Sequence, residues 1–440
     1  MEPLGRIGGK EWRSDPGPDG TAGKPVLSLI ACSRNDDYQG KAVWRLQTGL
    51  NLTARTIHAL GLEASVEIIL SDWGSETPLR HALCLTPEAA RLVRVLEVPP
   101  ELAARYQRDA PFSEVHALNA AARRARGEYI GRIDQDTILG REFFERFFRL
   151  YRGEDTLEDG VPLPHALMLS NRRGVPYRLV AGCPSPWVID RFLRWFAPRL
   201  APAMPLPEAE YYKSYVGIWL IHRDRWFEIG GYDESFIYIN WMEVDMILRL
   251  EPESRFVNLG RLIGHRIYHL DHIHPLVHWG ARGRVRRENP VRDRSRPPPV
   301  KCPNPEDWGL AREPLTLRPY PLKPGEAEAA LGSVDRPRWG MFLGRVAWSG
   351  LRRAMDRVAL GTIAVLAAGP RLLLALAPGL RARVLSYRDT LRGEPLARWG
   401  TRLREHRKAR RADSNRPSPT GRLSGPARPE QRVNPREHRS

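Results

Sequence analysis

Short apolar runs recur through residues 25–280 of the chain, and stretches with helical periodicity separate them. The strand candidates are Val26–Ala31, Val66–Leu70, Leu92–Val98, Tyr129–Ile133, Ala166–Leu169 and Val216–Ile221. Apolar runs of this length between turn residues are typical of buried strands. Because strands and helices alternate, the pattern predicts an α/β fold whose largely parallel sheet is covered by helices on both faces.

Two of the intervening segments show one apolar face each, as expected for amphipathic helices. The apolar positions are Val43, Leu46, Leu50, Ile57 and Leu60 in the first segment, and Val115, Leu118, Ala122 and Ala125 in the second. Gly127 follows the second segment and is expected to be its C-cap. Ligands of open α/β sheets bind beyond the carboxyl ends of the strands, so functional residues are expected there.

Composition divides the 440 residues into five regions. They are a disordered leader (1–24), an α/β domain (25–280), a Pro- and Arg-rich linker (281–335), a basic helical segment (336–411) and a disordered tail (412–440). A hydrophobic content of 42% excludes wholesale disorder. Four dispersed cysteines without a CxxC pair fit a reducing compartment. Residues 1–24 lack the apolar core of a signal peptide, so a cytoplasmic protein is expected.

The net charge of +18 is concentrated in residues 281–301 and 381–440, which makes the rest of the chain nearly neutral. The tail lacks interleaved aromatic residues, so nucleic acid is not an expected partner. Within 336–411, apolar residues lie along one helical side and arginines flank them. This pattern favours either peripheral contact with the anionic inner face of the cytoplasmic membrane or packing against the α/β domain.

Two carboxylates, Asp134 and Asp136, directly follow the strand Tyr129–Ile133. Carboxylates spaced i, i+2 on a strand-end loop can share a divalent cation, and hard oxygen ligands suit Mn²⁺ or Mg²⁺. A cation held in this way leaves open positions for a diphosphate. The alternative is a turn with solvated acidic side chains.

Two further strand ends carry polar residues that could contact a nucleotide. Asp72 follows the strand Val66–Leu70 and precedes an aromatic residue and a Gly turn, a pattern that could hold a base or ribose. Ser33 and Asn35 follow the first strand and could line a base pocket. For Asp72 the alternative is a carboxylate that only stabilises its own turn.

The later part of the domain carries a Gly-Gly loop, an acidic helix start and a histidine cluster. Glu243 and Asp245 open a predicted helix, where they are either a general base at a cleft edge or acids stabilised by the helix dipole. The histidines are His265, His269, His272, His274 and His278. Imidazole is a common metal ligand, so His269 and His272 are candidate ligands.

In their order and spacing, these motifs resemble the family 2-like glycosyltransferases of the GT-A fold, including their galactosyltransferase-like C-terminal region. The resemblance covers residues 26–275. It implies a mixed Rossmann-like sheet and the following roles. The donor is expected to bind Asp72, Asn119 and Asp134, together with Ser33 and Asn35. The metal is expected to bind Asp134, Asp136 and His269 or His272. The acceptor side is expected to consist of Gly230, Gly231, Tyr232, Asp233, Glu234 and Trp241.

The sequence departs from the family at the general base. Met242 stands where the family has Glu, and Glu243 stands where it has the catalytic Asp. Glu243 can carry the same proton chemistry on a longer side chain, and Asp245 is the fallback base.

The resemblance implies a metal-dependent, inverting transfer of sugar from a nucleoside diphosphate sugar to an acceptor hydroxyl, with Mn²⁺ or Mg²⁺ as cofactor and a UDP-sugar favoured. It also implies a glycan or lipid-linked acceptor in surface polysaccharide or glycolipid assembly. The main alternative is a non-catalytic module of the same fold that binds nucleotide-sugars or glycans. A sugar nucleotidyltransferase is disfavoured because the loop 32–37 contains no Gly.

Overall fold

The computed structural model describes residues 24–183, 185–200, 206, 211–212, 217–238, 240–272 and 287–322. The chain divides into two units, residues 1–357 and 358–440, and every described residue belongs to the first unit. The basic segment 336–411, the tail 412–440 and the histidines His274 and His278 lie outside the described residues. Among the described helices, none combines the length and apolar character needed to span a bilayer.

The centre of the described unit is an eight-stranded mixed sheet. From edge to edge its strands are β11 (Leu317–Pro319), β3 (Val93–Val98), β2 (Val66–Trp73), β1 (Leu27–Ser33), β4 (Tyr129–Ile133), β8 (Ile218–His222), β6 (Ala166–Ser170) and β9 (Arg255–Asn258). All of these strands except β8 and β11 run in one direction. This arrangement confirms the predicted α/β fold class with a mixed, mostly parallel sheet.

Helices cover both faces of the sheet. They are α1 (Ala42–Ala59), α2 (Leu79–Ala82), α3 (Pro87–Leu92), α4 (Pro100–Gln107), α5 (Glu114–Arg124), α6 (Arg141–Tyr151), α7 (Tyr177–Val180), α8 (Pro186–Trp195), α9 (Ala197–Leu200), α10 (Arg223–Ile229), α11 (Met242–Leu250) and α12 (Leu259–Leu262). Neighbouring residues of β1 face opposite sides, so Leu29 packs in the core under α1 and α6, whereas Ile30 packs in the core under α5 and α11.

A three-stranded sheet lies at the carboxyl edge of the main sheet. It consists of β5 (Thr137–Leu139), β10 (Ile267–Leu270) and β7 (Arg173–Val175), with β10 in the middle. The register pairs His269 with Thr137, the residue directly after Asp136. The small sheet therefore brings the histidine segment to the predicted metal-binding loop.

The predicted C-cap of α5 is wrong. The helix ends at Arg124, and Ala125 is its C-cap in an extended conformation. Gly127 instead allows close contact with β1, because a Cβ on this residue would lie 2.5 Å from the backbone nitrogen of Ser28. The glycine is needed for packing between the α5–β4 connection and the first strand.

The predicted linker 281–335 contributes to the fold where it is described. Its residues 317–319 form β11, which pairs with β3 in antiparallel orientation. Trp308 and Tyr320 are buried, and the Tyr320 hydroxyl donates a 2.5 Å hydrogen bond to the carbonyl of Leu83. The fold thus continues past residue 280 and includes the described residues up to Tyr320, because a few isolated apolar residues anchor a segment whose composition is otherwise polar.

Candidate functional site

The predicted metal ligands meet at the end of β4. Asp136 is buried, and its Oδ1 lies 3.0 Å from Nε2 of His269. Its Oδ2 lies 3.7 Å from Nε2 of His272. One ligand atom from each of the three residues lies within 4.8 Å of the other two. The structure therefore brings together Asp136, His269 and His272 as the sequence predicts, whereas Asp134 points to other partners.

This donor set fits a divalent transition metal. Two ligands at right angles around an ion with bonds of about 2.1 Å are about 3 Å apart, which is close to the Asp136–His269 separation. One carboxylate with two imidazoles suits a transition metal better than it suits Mg²⁺, which prefers oxygen ligands. Burial by itself raises the pKa of Asp136, but nearby His269 and Arg45 outweigh burial and hold the pKa well below its ordinary value. The carboxylate is thus in the ionised form that a metal requires.

A cation of the protein already contacts this carboxylate. The Arg45 guanidinium of α1 is completely buried and pairs with Oδ2 of Asp136. Its other nitrogens donate to the carbonyls of Gly40, at 3.1 Å, and Tyr38, at 2.7 Å. Arg45 was not predicted as a site residue from the sequence. It precedes Leu46 in a helix that the sequence identifies by its apolar positions alone.

A second buried arginine joins three carboxylates. Arg132 of β4 places one terminal nitrogen 2.6 Å from Asp134. Its other terminal nitrogen lies 2.5 Å from Glu114 and 3.1 Å from Glu243. The predicted donor-side acid Asp134 and the predicted base Glu243 are therefore held by one guanidinium. We call this group, with Arg132 at its centre, the Arg132 cluster.

Glu114 is a further acidic residue of the Arg132 cluster that the sequence reasoning missed. It opens α5, where its charge would be taken for a helix-dipole interaction. Burial raises the pKa of Glu114 to about 7, against the opposing effect of Arg132 and with the neighbouring charges of Glu243 and Asp134 adding to the rise. Arg172 provides another guanidinium to Asp134. The cluster therefore combines several acids with guanidinium groups at the cleft edge.

The two base candidates occupy different environments. The Glu243 side chain is 30% exposed at the start of α11, whereas the Asp245 side chain is 1% exposed. Asp245 pairs with Arg249 at 2.7 Å and also contacts Arg292. Asp245 is therefore part of a buried ion-pair network, and Glu243 is the carboxylate that a substrate can reach.

Two glycines and an asparagine shape the predicted acceptor-side loop. Gly230 and Gly231 have φ values of 79° and 74°, in the left-handed region that favours glycine. A Cβ on Gly231 would lie 2.6 Å from Oδ1 of Asn119. The Asn119 amide donates to the carbonyl of Tyr232 and accepts from its N–H, both at 2.9 Å. Asn119, predicted to lie close to the donor, is buried here and fixes the loop.

The side chains of this loop point into the protein. Tyr232 is completely buried, and its ring packs edge-on against Trp219 and Trp226 at 5.7 and 5.5 Å. Glu234 accepts hydrogen bonds from the N–H of Gly309 and from Asn119, and Asp233 lies 3.6 Å from Arg249. Trp241 is half-buried directly before α11. Among these side chains, Trp241 is the aromatic one that is partly open to solvent, and it lies two residues before Glu243 in the chain.

The predicted donor-side residues link the ends of β1 and β2 to the metal loop. The Ser33 hydroxyl donates to Oε1 of Gln135 at 2.5 Å. The Asn35 N–H donates to the Ser75 hydroxyl, and the Asn35 amide donates to the carbonyl of Thr77. Three strand-end loops thus meet at one edge of the sheet.

Asp72 lies inside its own turn. Its carboxylate accepts a 2.7 Å hydrogen bond from the N–H of Leu79 and another from the Ser75 hydroxyl. Burial raises the pKa of Asp72 to about 6, although both hydrogen bonds favour ionisation. Both oxygens are therefore occupied by the turn, as the alternative interpretation of this residue expects.

The raised pKa of Asp72 predicts a pH dependence of stability. The folded state keeps the proton up to about pH 6, whereas the unfolded chain releases it near 3.8. The contribution of Asp72 to the free energy of unfolding is therefore fully present below about pH 4. It is lost as the pH rises to about 6, and the loss is on the order of 3 kcal/mol. Asp72→Asn should flatten this part of the profile in urea unfolding at pH 4.5, 5.5 and 6.5. An unchanged slope in the variant would contradict the assignment.

The fold and site define an α/β protein with a carboxylate–histidine cluster at the carboxyl edge of its sheet. No family model matches the chain, and no curated protein matches it. A crystal structure of S. aureus TarS is similar, with 13% identity over 56% of this chain and 36% of that chain, at a TM-score of 0.35. A crystal structure of TarS residues 1–349 has 14% sequence identity over 52% of this chain and 56% of that chain, at a TM-score of 0.32. The same TarS residues in complex with UDP-GlcNAc have 11% sequence identity over 46% of each chain, at a TM-score of 0.28.

This chain thus spans about a third of the first TarS structure and about half of the other two. The identities and TM-scores are too low to assign a family or a substrate.

Proposed function

We propose that the protein is a glycosyltransferase that moves a sugar from a nucleoside diphosphate sugar to an acceptor hydroxyl with the help of Mn²⁺ or Mg²⁺. The observation that supports this proposal most is the meeting of a metal-ligand set and a reachable carboxylate at one sheet edge. Asp136, His269 and His272 supply the first, and Glu243 supplies the second. A UDP-sugar is the favoured donor, in line with the sequence resemblance.

The charges of the site fit a diphosphate leaving group. A metal bound by Asp136, His269 and His272 would supply positive charge where the diphosphate departs. Arg132 and Arg172 lie against Asp134 and add two guanidinium groups to the same side. Guanidinium groups bind phosphate oxygens through paired hydrogen bonds, so Arg172, the more exposed of the two, can orient the donor.

Glu243 is proposed to accept the proton of the attacking hydroxyl. Arg132 holds one of its carboxylate oxygens, and the partial exposure of the side chain lets an acceptor approach the other. A base on the opposite side of the sugar from the leaving group gives a single displacement, so the transfer inverts the anomeric centre. A glycan or lipid-linked acceptor in polysaccharide or glycolipid assembly is part of this proposal.

A non-catalytic module that binds nucleotide-sugars or glycans is the second candidate. It is favoured by the loop 230–234, whose side chains are mostly buried or hydrogen-bonded within the protein. Little of the predicted acceptor surface is therefore open to a substrate. Such a module would bind nucleotide without releasing diphosphate.

Release of nucleoside diphosphate from a donor panel distinguishes these two candidates. Purified protein is incubated with UDP-, GDP- and dTDP-sugars and Mn²⁺, with and without EDTA, beside Asp136→Ala. We expect release from one donor, with EDTA and Asp136→Ala each reducing it to background. Calorimetry with the same donors detects binding directly. Binding without release, in the presence of a panel of glycan acceptors, would favour the binding module. No Mn²⁺-dependent nucleotide binding at all would refute the transferase and leave a module that binds glycans.

A further inference from the structure

The loop before α1 is shaped around the Arg45 side chain. Gln39, Gly40 and Lys41 are consecutive and have φ values of 57°, 81° and 57°. Left-handed backbone is costly for residues other than glycine, so Gln39 and Lys41, one on each side of Gly40, need compensation from their surroundings. In this conformation the carbonyls of Tyr38 and Gly40 accept hydrogen bonds from the Arg45 guanidinium.

The remaining nitrogen of Arg45 faces the metal-ligand set. It pairs with Oδ2 of Asp136, and both side chains are almost completely removed from solvent. Oδ1 of the same carboxylate is the oxygen next to His269. The two oxygens of Asp136 therefore have different nearest partners: the Arg45 guanidinium at Oδ2, with Nε2 of His272 further away at 3.7 Å, and the His269 imidazole at Oδ1.

We infer that Arg45 is a positioning residue for the metal of the proposed function: it occupies Oδ2 of Asp136, so that a divalent cation binds through Oδ1 with His269 and His272, and it weakens the affinity of the site for that cation. The first part follows from the hydrogen bonds, because the carboxylate oxygen paired with a buried guanidinium binds a second cation less readily than Oδ1 does. The second part follows from Coulomb repulsion between two cations that share one carboxylate.

Removing the charge of Arg45 should therefore strengthen metal binding. A unit charge a few ångströms from a divalent ion outweighs a tenfold change in affinity even with the screening found near a protein surface. Arg45→Gln should bind Mn²⁺ at least tenfold more tightly than the unmodified protein. Arg45→Lys keeps the charge and should stay closer to the unmodified protein than Arg45→Gln does.

The experiment is calorimetric titration of the full chain with Mn²⁺ alone, without nucleotide. Arg55→Gln is the matched control, because Arg55 lies on the same helix and is half-exposed, 4.0 Å from Asp190. Asp136→Asn shows that the titrated site is the one described. We expect the gain in Arg45→Gln, no change in Arg55→Gln and no binding in Asp136→Asn. Equal or weaker Mn²⁺ binding by Arg45→Gln would overturn the inference.

Thermal unfolding covers the case in which Arg45→Gln does not fold without metal. The inference predicts that Mn²⁺ then restores the fold, because the metal replaces the missing positive charge beside Asp136. A variant that stays unfolded in Mn²⁺ would overturn it.

The donor panel tests the transferase separately: a gain in Mn²⁺ affinity without any nucleotide binding would leave the role of Arg45 standing and remove the proposed function. Absence of Mn²⁺ binding in every variant would overturn the role of Arg45, while release from a donor would still support transfer.

Discussion

Glu243→Gln is expected to lower the turnover of the transfer reaction by about 10²- to 10⁴-fold, the usual contribution of a general base. Glutamine keeps the size of the side chain and its contact with Arg132 but cannot accept a proton. The KM for the donor should change little, because Glu243 lies on the acceptor side in the proposed mechanism. Steady-state kinetics with the donor found in the panel, together with a thermal melt, measure both properties.

Two variants on and next to the same helix make this test specific. Asp245→Asn removes a carboxylate that pairs with Arg249 and Arg292, so it should lower stability rather than turnover alone. Glu253→Gln changes an exposed residue just beyond α11 and should alter neither property. Normal turnover in a folded Glu243→Gln protein would refute the general base assignment.

Arg132→Met is expected to lower the free energy of unfolding by about 3 kcal/mol at pH 7.5, near the lower end of the range for breaking a buried ion pair. The substitution leaves Glu114, Asp134 and Glu243 without their shared cation. We expect the lower end because Glu114 and Glu243 remain about one-third exposed and Asp134 keeps Arg172. Urea unfolding of the variant and the unmodified protein gives the difference.

The pH dependence of this loss provides a second measurement. Without Arg132, the pKa of Glu114 should rise beyond its present value of about 7. Since a raised pKa gives stability that is present at low pH and lost as the pH rises, the deficit should be smaller at pH 5.5 than at pH 8. Arg126→Met is the control, because Arg126 is half-exposed and shares Glu67 with Arg94. Arg126→Met should lower the free energy of unfolding by less than about 1 kcal/mol. An equal decrease in Arg126→Met and Arg132→Met would contradict a special role for the Arg132 cluster.

Much of the main sheet was predictable from apolar patterning alone. Each predicted strand is present, with β1 and β2 longer than predicted by two or three polar or aromatic residues at their carboxyl ends. Those extra residues, among them Ser33 and Asp72, pair in the sheet, and their side chains form hydrogen bonds with the loops beyond the strand ends. The hydrophobic pattern does not predict where a strand ends when its last residues lie at a polar edge of the sheet.

The small sheet and β11 were not predictable in the same way. β5 and β7 have three residues each, too few to show a period, and β11 contains Arg318 and Pro319. Such short strands are stabilised by pairing with distant segments, as Leu317 pairs with Leu96. Single-sequence patterns do not contain that information.

The histidines and most acids of the site were identified from the sequence, but Glu114 and the arginines were not. Asp136 and His269 stand next to strand ends or in clusters, which marks them as candidates. Arg45, Arg132 and Arg172 are three of the 69 Lys and Arg residues of the chain, so their residue type carries little information. Only the three-dimensional structure shows that these arginines contact the predicted acids.

β11 also protects the protein against unwanted association. An uncovered edge of a long parallel strand offers free N–H and C=O groups to the edges of other molecules, which is a common route to aggregation. β11 covers this edge of β3, and Pro319 lies in the covering strand, where proline discourages the addition of a further strand. A chain shortened at residue 280 would uncover β3 and would also lose the contacts of Gly309 with the loop 230–234. Shortened forms of the protein that end before about Tyr320 should therefore be prone to self-association.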